Sequence, residues 1–71
     1  MIILPRYFAN RVKHDGKYNE IHLSTCSYLP QPTNQVDLGY HSTYSDAKEK
    51  AKRLGLNPDG CAHCLNHVHH G

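Results

Sequence analysis

Three cysteines in a chain of 71 residues are the feature that most limits how this sequence can fold. A chain this short buries little apolar surface, and domains below roughly 80 residues usually rely on disulfides, a structural metal or a partner subunit. Only 38% of the residues are hydrophobic, so we expect one of these additional sources of stability here. Disulfide pairing would leave one cysteine over, whereas three thiolates and one imidazole complete a tetrahedral zinc shell. The sequence therefore predicts a zinc-stabilised domain.

The candidate ligands fall into two short segments. The first is His22-x-x-x-Cys26, at the end of a predicted strand, and the second is Cys61-x-x-Cys64, directly after Gly60. A Cys-x-x-Cys turn that follows a glycine allows both sulfurs to face one centre. A redox pair and three unrelated cysteines are the alternatives. Redox Cys-x-x-Cys motifs precede a helix in a larger βαβ unit, which this sequence does not predict.

The histidine ligand is left open by the sequence. His22 competes for the fourth position with His63, His67, His69 and His70. Of these, His67 is the best placed, because it lies three residues after Cys64 on a predicted helical turn. His22 is favoured, because without it Cys26 would be the sole ligand from the first segment. We expect one zinc-binding domain over residues 1–68, followed by a flexible tail at 69–71.

The first half of the chain predicts a β-hairpin. Residues 6–12 are rich in aromatic and β-branched types, Asp15-Gly16 is a strong turn signal, and a second alternating segment begins at Tyr18. The proline-rich polar run 30–35 then predicts a surface loop, because proline cannot continue a sheet.

The second half predicts a short strand and one main helix. The strand begins at Val36, and hydroxyl side chains then offer an N-cap to the helix-favouring residues 46–54. Gly55 stands where a helix C-terminus is expected, and Asn57–Gly60 predicts a turn. The fold class is therefore α+β, with a two- or three-stranded antiparallel sheet and one helix packed on it. The inner face of that helix is predicted to carry Tyr44, Ala47, Ala51 and Leu54.

The order of these motifs resembles the Ada-like metal-binding domain. The shared pattern covers about two thirds of the chain: His22-x-x-x-Cys26, a strand with Leu38-Gly39, a helix opening with Ser45-Asp-Ala47, and Gly60-Cys61-x-x-Cys64. In the Ada DNA-repair protein two cysteine pairs hold zinc, and the first cysteine accepts a methyl group from a DNA phosphotriester. His22 stands in that position here, and a zinc-bound imidazole is not a thiolate nucleophile. The resemblance thus implies the zinc site, in a small stand-alone form, without that methyl transfer.

Charge gives two candidate partners. The net charge is +2 with neutral histidines, which is modest for a dedicated nucleic-acid binder. Basic residues still gather around the predicted hairpin, and the candidate nucleic-acid contacts are Arg6, Arg11, Lys13 and Lys17. The sequence leaves two partners possible: DNA, or a protein that this chain would bind as a small inhibitor or adaptor. Four protein ligands leave zinc no open position for a reaction, so we expect a non-enzymatic module.

The N-terminus indicates the expected compartment. The start MIILPRYF has too few apolar residues before Pro5 for a signal peptide or a membrane span. We therefore expect a cytoplasmic protein, since reduced thiols favour a metal over a disulfide in the cytosol. The sequence indicates no small-molecule substrate.

Overall fold

Four β-strands, one α-helix and a short 3-10 turn form the regular structure of residues 3–65 and 67, which the computed structural model describes. The elements are β1 (Arg6–Asn10), β2 (Asn19–Leu23), the 3-10 turn (Pro32–Asn34), β3 (Gln35–Tyr40), α1 (Tyr44–Arg53) and β4 (Pro58–Gly60). The sheet order is β3-β1-β2-β4. The α+β class is confirmed, and the predicted antiparallel sheet is present as β3-β1-β2. The predicted tail, 69–71, lies outside the described residues.

The hairpin turns at the predicted dipeptide. Asp15 and Gly16 have φ angles of 53° and 70°. The N–H of Lys17 donates to the carbonyl of His14 across them at 2.9 Å. Positive φ at both central residues matches the right-handed twist of paired strands, and Asp-Gly adopts it at low cost. This turn lies at one end of the sheet, and β2 runs from it towards the other end.

One face of the sheet and one side of α1 form the core. Ala47 and Ala51, the predicted inner positions of α1, are fully buried. Their small side chains let the helix lie close to β3 and β4, which it contacts. The largest fully buried side chains in the described part of the chain are Ile21, Leu38 and Cys61. A candidate ligand is therefore among the main core residues of a domain with little apolar material.

The N-terminus of α1 is capped by a threonine. The hydroxyl oxygen of Thr43 accepts a hydrogen bond from the N–H of Asp46 at 3.3 Å. This bond satisfies one of the backbone donors that the first turn of a helix leaves unpaired. The carboxylate of Asp46 also lies in that first turn, where negative charge is favourable. The helix thus begins at Tyr44, slightly earlier than predicted.

The C-terminus of α1 ends at the predicted glycine. Gly55 has a φ of 84°. The N–H groups of Gly55 and Leu56 donate to the carbonyls of Lys52 at 3.0 Å and Ala51 at 3.1 Å, which is a Schellman motif. The motif directs Leu56 onto the core. Leu54, predicted on the inner face, is instead 48% exposed. No helix within residues 3–65 and 67 is long and apolar enough to cross a membrane.

The turn predicted at Asn57–Gly60 is wrong, because this segment forms β4. The strand pairs parallel to β2, with Asn19 opposite Pro58 and Ile21 opposite Gly60. Proline is tolerated there because it is the first residue of the strand. The sheet therefore gains a fourth, parallel strand, which leads the chain towards the end of β2.

Asn19 connects the hairpin to the segment before β4. Its side-chain amide donates to the carbonyls of Asn10 and Arg11, both at 3.1 Å. Its side-chain oxygen accepts from the N–H of Asn57 at 3.0 Å. The side chain is only 2% exposed, so water cannot easily replace these bonds. Asn19 therefore ties the end of β1 to the residue before β4, at the end of the sheet that faces the hairpin turn.

Candidate metal centre

The two predicted ligand segments meet at the end of the sheet away from the hairpin turn. β2 carries His22, and the chain then turns tightly, with the N–H of Cys26 donating to the carbonyl of Leu23 at 3.0 Å. β4 leads directly into Cys61, whose N–H donates to the carbonyl of Ile21 at 2.9 Å. The parallel pairing of β2 with β4 therefore places Cys61 beside the residue that follows Ile21. This explains how segments 35 positions apart in the chain meet.

The spacing of the four candidate ligands suits a tetrahedral metal ion. The ligand atoms of His22, Cys26, Cys61 and Cys64 all lie within 4.8 Å of one another. The sulfurs of Cys26 and Cys61 are 3.9 Å apart. Zinc at about 2.3 Å from each of two sulfurs in a tetrahedron would separate them by about 3.8 Å. The three cysteines are free thiols, and these four residues can together hold a metal ion.

The imidazole of His22 is buried in a state that suits a ligand. The residue is 3% exposed, and its Nδ1 atom has no hydrogen-bond partner within the described part of the chain. An unpaired buried polar atom costs roughly 1 to 3 kcal/mol, which a bond to a metal would offset. Burial lowers the pKa of His22, and the opposing effect of Glu20 is smaller. The ring is therefore held neutral, which is the form that binds metals.

Backbone N–H groups point at two of the sulfurs. The N–H of Leu23 donates to the sulfur of Cys64, and the N–H of His63 donates to the sulfur of Cys61, both at 3.4 Å. Both bonds fix the direction of the sulfur, and the bond from Leu23 favours the Cys64 thiolate. Burial nevertheless raises the pKa of Cys64 to about 12. A nearby divalent cation would reverse this effect, because coordinating thiols lose their protons.

Cys61 and Cys64 lie on one turn anchored in the core. The N–H of Leu65 donates to the carbonyl of Cys61 at 2.9 Å, and the side chain of Leu65 is 3% exposed. This hydrogen bond closes one turn over residues 61–65. The buried leucine fixes the position of the turn against the sheet.

Two of the competing histidines, His63 and His67, do not join the cluster. Among the residues that the structure describes, His63 and His67 lie outside the group of four, and both are exposed. His69 and His70 lie outside the described residues. The ring of His63 instead stacks on Tyr28, with centroids 3.7 Å apart and planes inclined by 14°. The sequence did not predict this contact, although each ring lies within two residues of a cysteine.

The four basic residues named as nucleic-acid contacts lie at two separate ends of β1. Arg6 is at the end near the metal cluster, where its guanidinium pairs with Asp37 and lies 4.8 Å from the ring centre of Phe8. This pairing, together with the N–H of Gly39, holds the pKa of the Asp37 carboxyl below its ordinary value. The other three are exposed around the hairpin turn: Arg11, Lys13 and Lys17. Five residues of strand separate the two groups by about 16 Å.

No family model, curated protein or solved structure matches this chain. The resemblance to the Ada-like metal-binding domain therefore rests on ligand spacing and element order alone. The centre itself is defined by its geometry: three sulfurs and one buried imidazole, at the end of β2 and β4, that can hold a metal ion.

Proposed function

We propose that the protein is a small binding module stabilised by one zinc ion, without a catalytic role. The observation that carries the proposal is the convergence of three thiols and one buried imidazole within 4.8 Å. Sulfur and imidazole ligands favour zinc over magnesium or calcium, which prefer oxygen. Four protein ligands complete a tetrahedral shell and leave no position for a substrate, which supports a structural site.

The position of the site supports a stabilising role. One ion there would tie the end of β2, the turn that follows it and the end of β4, and so close a loop of 35 positions between Cys26 and Cys61. Structural zinc in comparable peptides contributes about 10 to 16 kcal/mol. Small domains have a total stability of only about 5 to 15 kcal/mol. Metal binding and folding should therefore be tightly coupled.

Metal titration tests this proposal. We expect one zinc ion per chain by native mass spectrometry, and thiolate-to-metal absorption when cobalt replaces zinc. Cys64→Ser should weaken binding, whereas Ser24→Ala, an exposed change in the turn beside the site, should not. A strong chelator should abolish the circular dichroism of the folded chain. A protein that stays fully folded in the chelator would contradict a structural metal.

Membership of the Ada-like metal-binding domain is part of the same proposal. It is supported by the order of hairpin, strand, helix and Cys-x-x-Cys, and by the His-x-x-x-Cys segment. Alkyl transfer is the less favoured activity, because His22 replaces the cysteine that would act as nucleophile.

For the partner we propose nucleic acid, bound at the hairpin end of the sheet. Arg11, Lys13 and Lys17 are exposed there, and Asp15 is the one carboxylate among residues 11–18. The Nε of Arg11 donates to the carbonyl of Thr33 at 3.3 Å, which fixes the direction of its guanidinium. A local excess of positive charge attracts phosphates. Arg6 is paired with Asp37 at the other end and is left out of this surface.

Salt dependence tests the partner. Affinity for short single- and double-stranded DNA would be measured by fluorescence anisotropy at several salt concentrations. We expect a steep loss with salt, and Lys13→Ser or Lys17→Ser should each reduce the logarithmic slope by about one unit. Lys52→Ser, an exposed lysine on α1, is the matched control and should leave the slope unchanged. Absence of binding at low salt would exclude nucleic acid as the partner. The alternative is then a protein partner, which this chain would bind as a small inhibitor or adaptor.

A further inference from the structure

Tyr28 and His63 form an exposed ring stack that joins the two ligand segments. The ring centroids are 3.7 Å apart and the planes are inclined by 14°. Tyr28 lies two residues after Cys26, and His63 lies between Cys61 and Cys64. The contact therefore links both halves of the metal centre without using an atom of the four clustered residues, His22, Cys26, Cys61 and Cys64.

Each ring is fixed relative to a sulfur by its own backbone. The N–H of Leu29 donates to the carbonyl of Cys26 at 3.2 Å, which closes the turn that carries Tyr28. On the other side, the N–H of His63 donates to the sulfur of Cys61 at 3.4 Å. The stack thereby restrains the separation of the two sulfurs, which is 3.9 Å.

Cys26 needs such a restraint more than the buried ligands Cys61 and His22 do. Its neighbours Thr25 and Ser27 are exposed, and Cys26 itself is only half-buried. Cys61, in contrast, is 1% exposed, and its N–H donates across the sheet to Ile21, whereas the N–H of Cys26 donates to Leu23, three residues earlier in the same turn. The Cys26 segment can therefore move away from a bound ion more easily than the buried Cys61 or His22.

We propose that Tyr28 and His63 are positioning residues that hold Cys26 against the rest of the metal site and slow the release of zinc. This inference rests on the zinc site proposed above. Paired aromatic rings contribute enough energy to change a rate or equilibrium constant roughly 2- to 10-fold. Loss of the stack should speed zinc release by that factor, because opening of the Cys26 segment then requires no ring separation.

Zinc transfer to a chromophoric chelator, followed by stopped-flow absorption, measures this rate. Tyr28→Ala should release zinc roughly 2- to 10-fold faster than the wild type. Tyr28→Phe keeps the ring and should release zinc at the wild-type rate. Tyr40→Ala is the matched control, because Tyr40 is 62% exposed and Tyr28 is 58% exposed. It should also release zinc at the wild-type rate.

A variant of the other ring in the stack, His63, provides an independent test. His63→Gln removes the other ring and retains its backbone N–H, so it should speed release as Tyr28→Ala does, and the double variant should add little. It also replaces Tyr28→Ala if that variant does not fold. Cobalt spectra of both variants should match the wild type, because all four ligands remain.

The possible results distinguish the positioning role of Tyr28 and His63 from the zinc site on which it depends. A wild type that binds no zinc would overturn the proposed zinc module. A zinc-bound wild type whose release rate is unchanged in Tyr28→Ala and His63→Gln would overturn the positioning role alone. An altered cobalt spectrum in either variant would do the same, because the ring would then affect which atoms bind the metal.

Discussion

Replacing Asn19 with alanine should destabilise the protein by about 3 kcal/mol. The side chain makes three hydrogen bonds, two from its amide to the carbonyls of Asn10 and Arg11 and one from the N–H of Asn57 to its oxygen. Each such bond contributes about 1 kcal/mol net. Asn19 is 2% exposed, so water must enter a buried position before it can replace these bonds. For a domain of this size, a loss of 1 kcal/mol lowers Tm by about 4 to 8 °C.

Thermal and urea unfolding at a fixed, saturating zinc concentration would measure this loss. Asn57→Ala is the matched control, because its side chain donates one exposed hydrogen bond, to the carbonyl of Lys17 at 2.8 Å. That change should cost at most about 1 kcal/mol. Zinc affinity should also fall in Asn19→Ala, because β4 positions Cys61. Equal, small losses in the two variants would refute the account of how the hairpin holds β4.

Three further predictions concern the helix ends and the effect of acid. Thr43→Ala should cost about 1 kcal/mol in urea unfolding, because it removes the N-cap, whereas Ser42→Ala should cost less. Gly55→Ala should lower the free energy of unfolding by about 1 kcal/mol, because the backbone φ of 84° at this position is unfavourable for alanine. An added Cβ would meet no atom within 4 Å, so a much larger loss would contradict the view that the backbone conformation alone causes it. Burial lowers the pKa of His22, so below about pH 6.5 this imidazole is protonated more readily in the unfolded chain than in the folded one. Stability and bound zinc should therefore both decrease as the pH falls through that range, as followed by circular dichroism and a zinc dye, and a pH-independent Tm would contradict this.

The sequence predicts those parts of the fold that are specified by neighbouring residues. Asp15-Gly16 specifies the hairpin turn because both residues accept positive φ at low cost. Thr43 and Gly55 specify the ends of α1 through hydrogen bonds that span only a few positions. The inner face of α1 was predicted correctly at its alanines and wrongly at Leu54, because the Schellman motif directs Leu56, two residues later, onto the core.

The fourth strand could not be predicted because its pairing is not local. β4 has three residues, begins with Pro58 and ends with Gly60, so its local sequence favours a turn. Its strand conformation depends on β2, which lies far away in the sequence. The spacing of the cysteines was enough to name three candidate sulfur ligands. The place of His22 beside them depends on the β2–β4 register, which puts Cys61 next to it. The Tyr28–His63 stack depends on the same register.

The most direct test of the metal centre is native mass spectrometry of three proteins at limiting zinc: the wild type, His22→Ala and His67→Ala. The wild type and His67→Ala should each carry one zinc ion, and His22→Ala should lose most of it, because His22 is buried within the cluster and His67 is exposed outside it. Zinc retained in His22→Ala and lost in His67→Ala would contradict the account and move the fourth ligand to the C-terminal histidines.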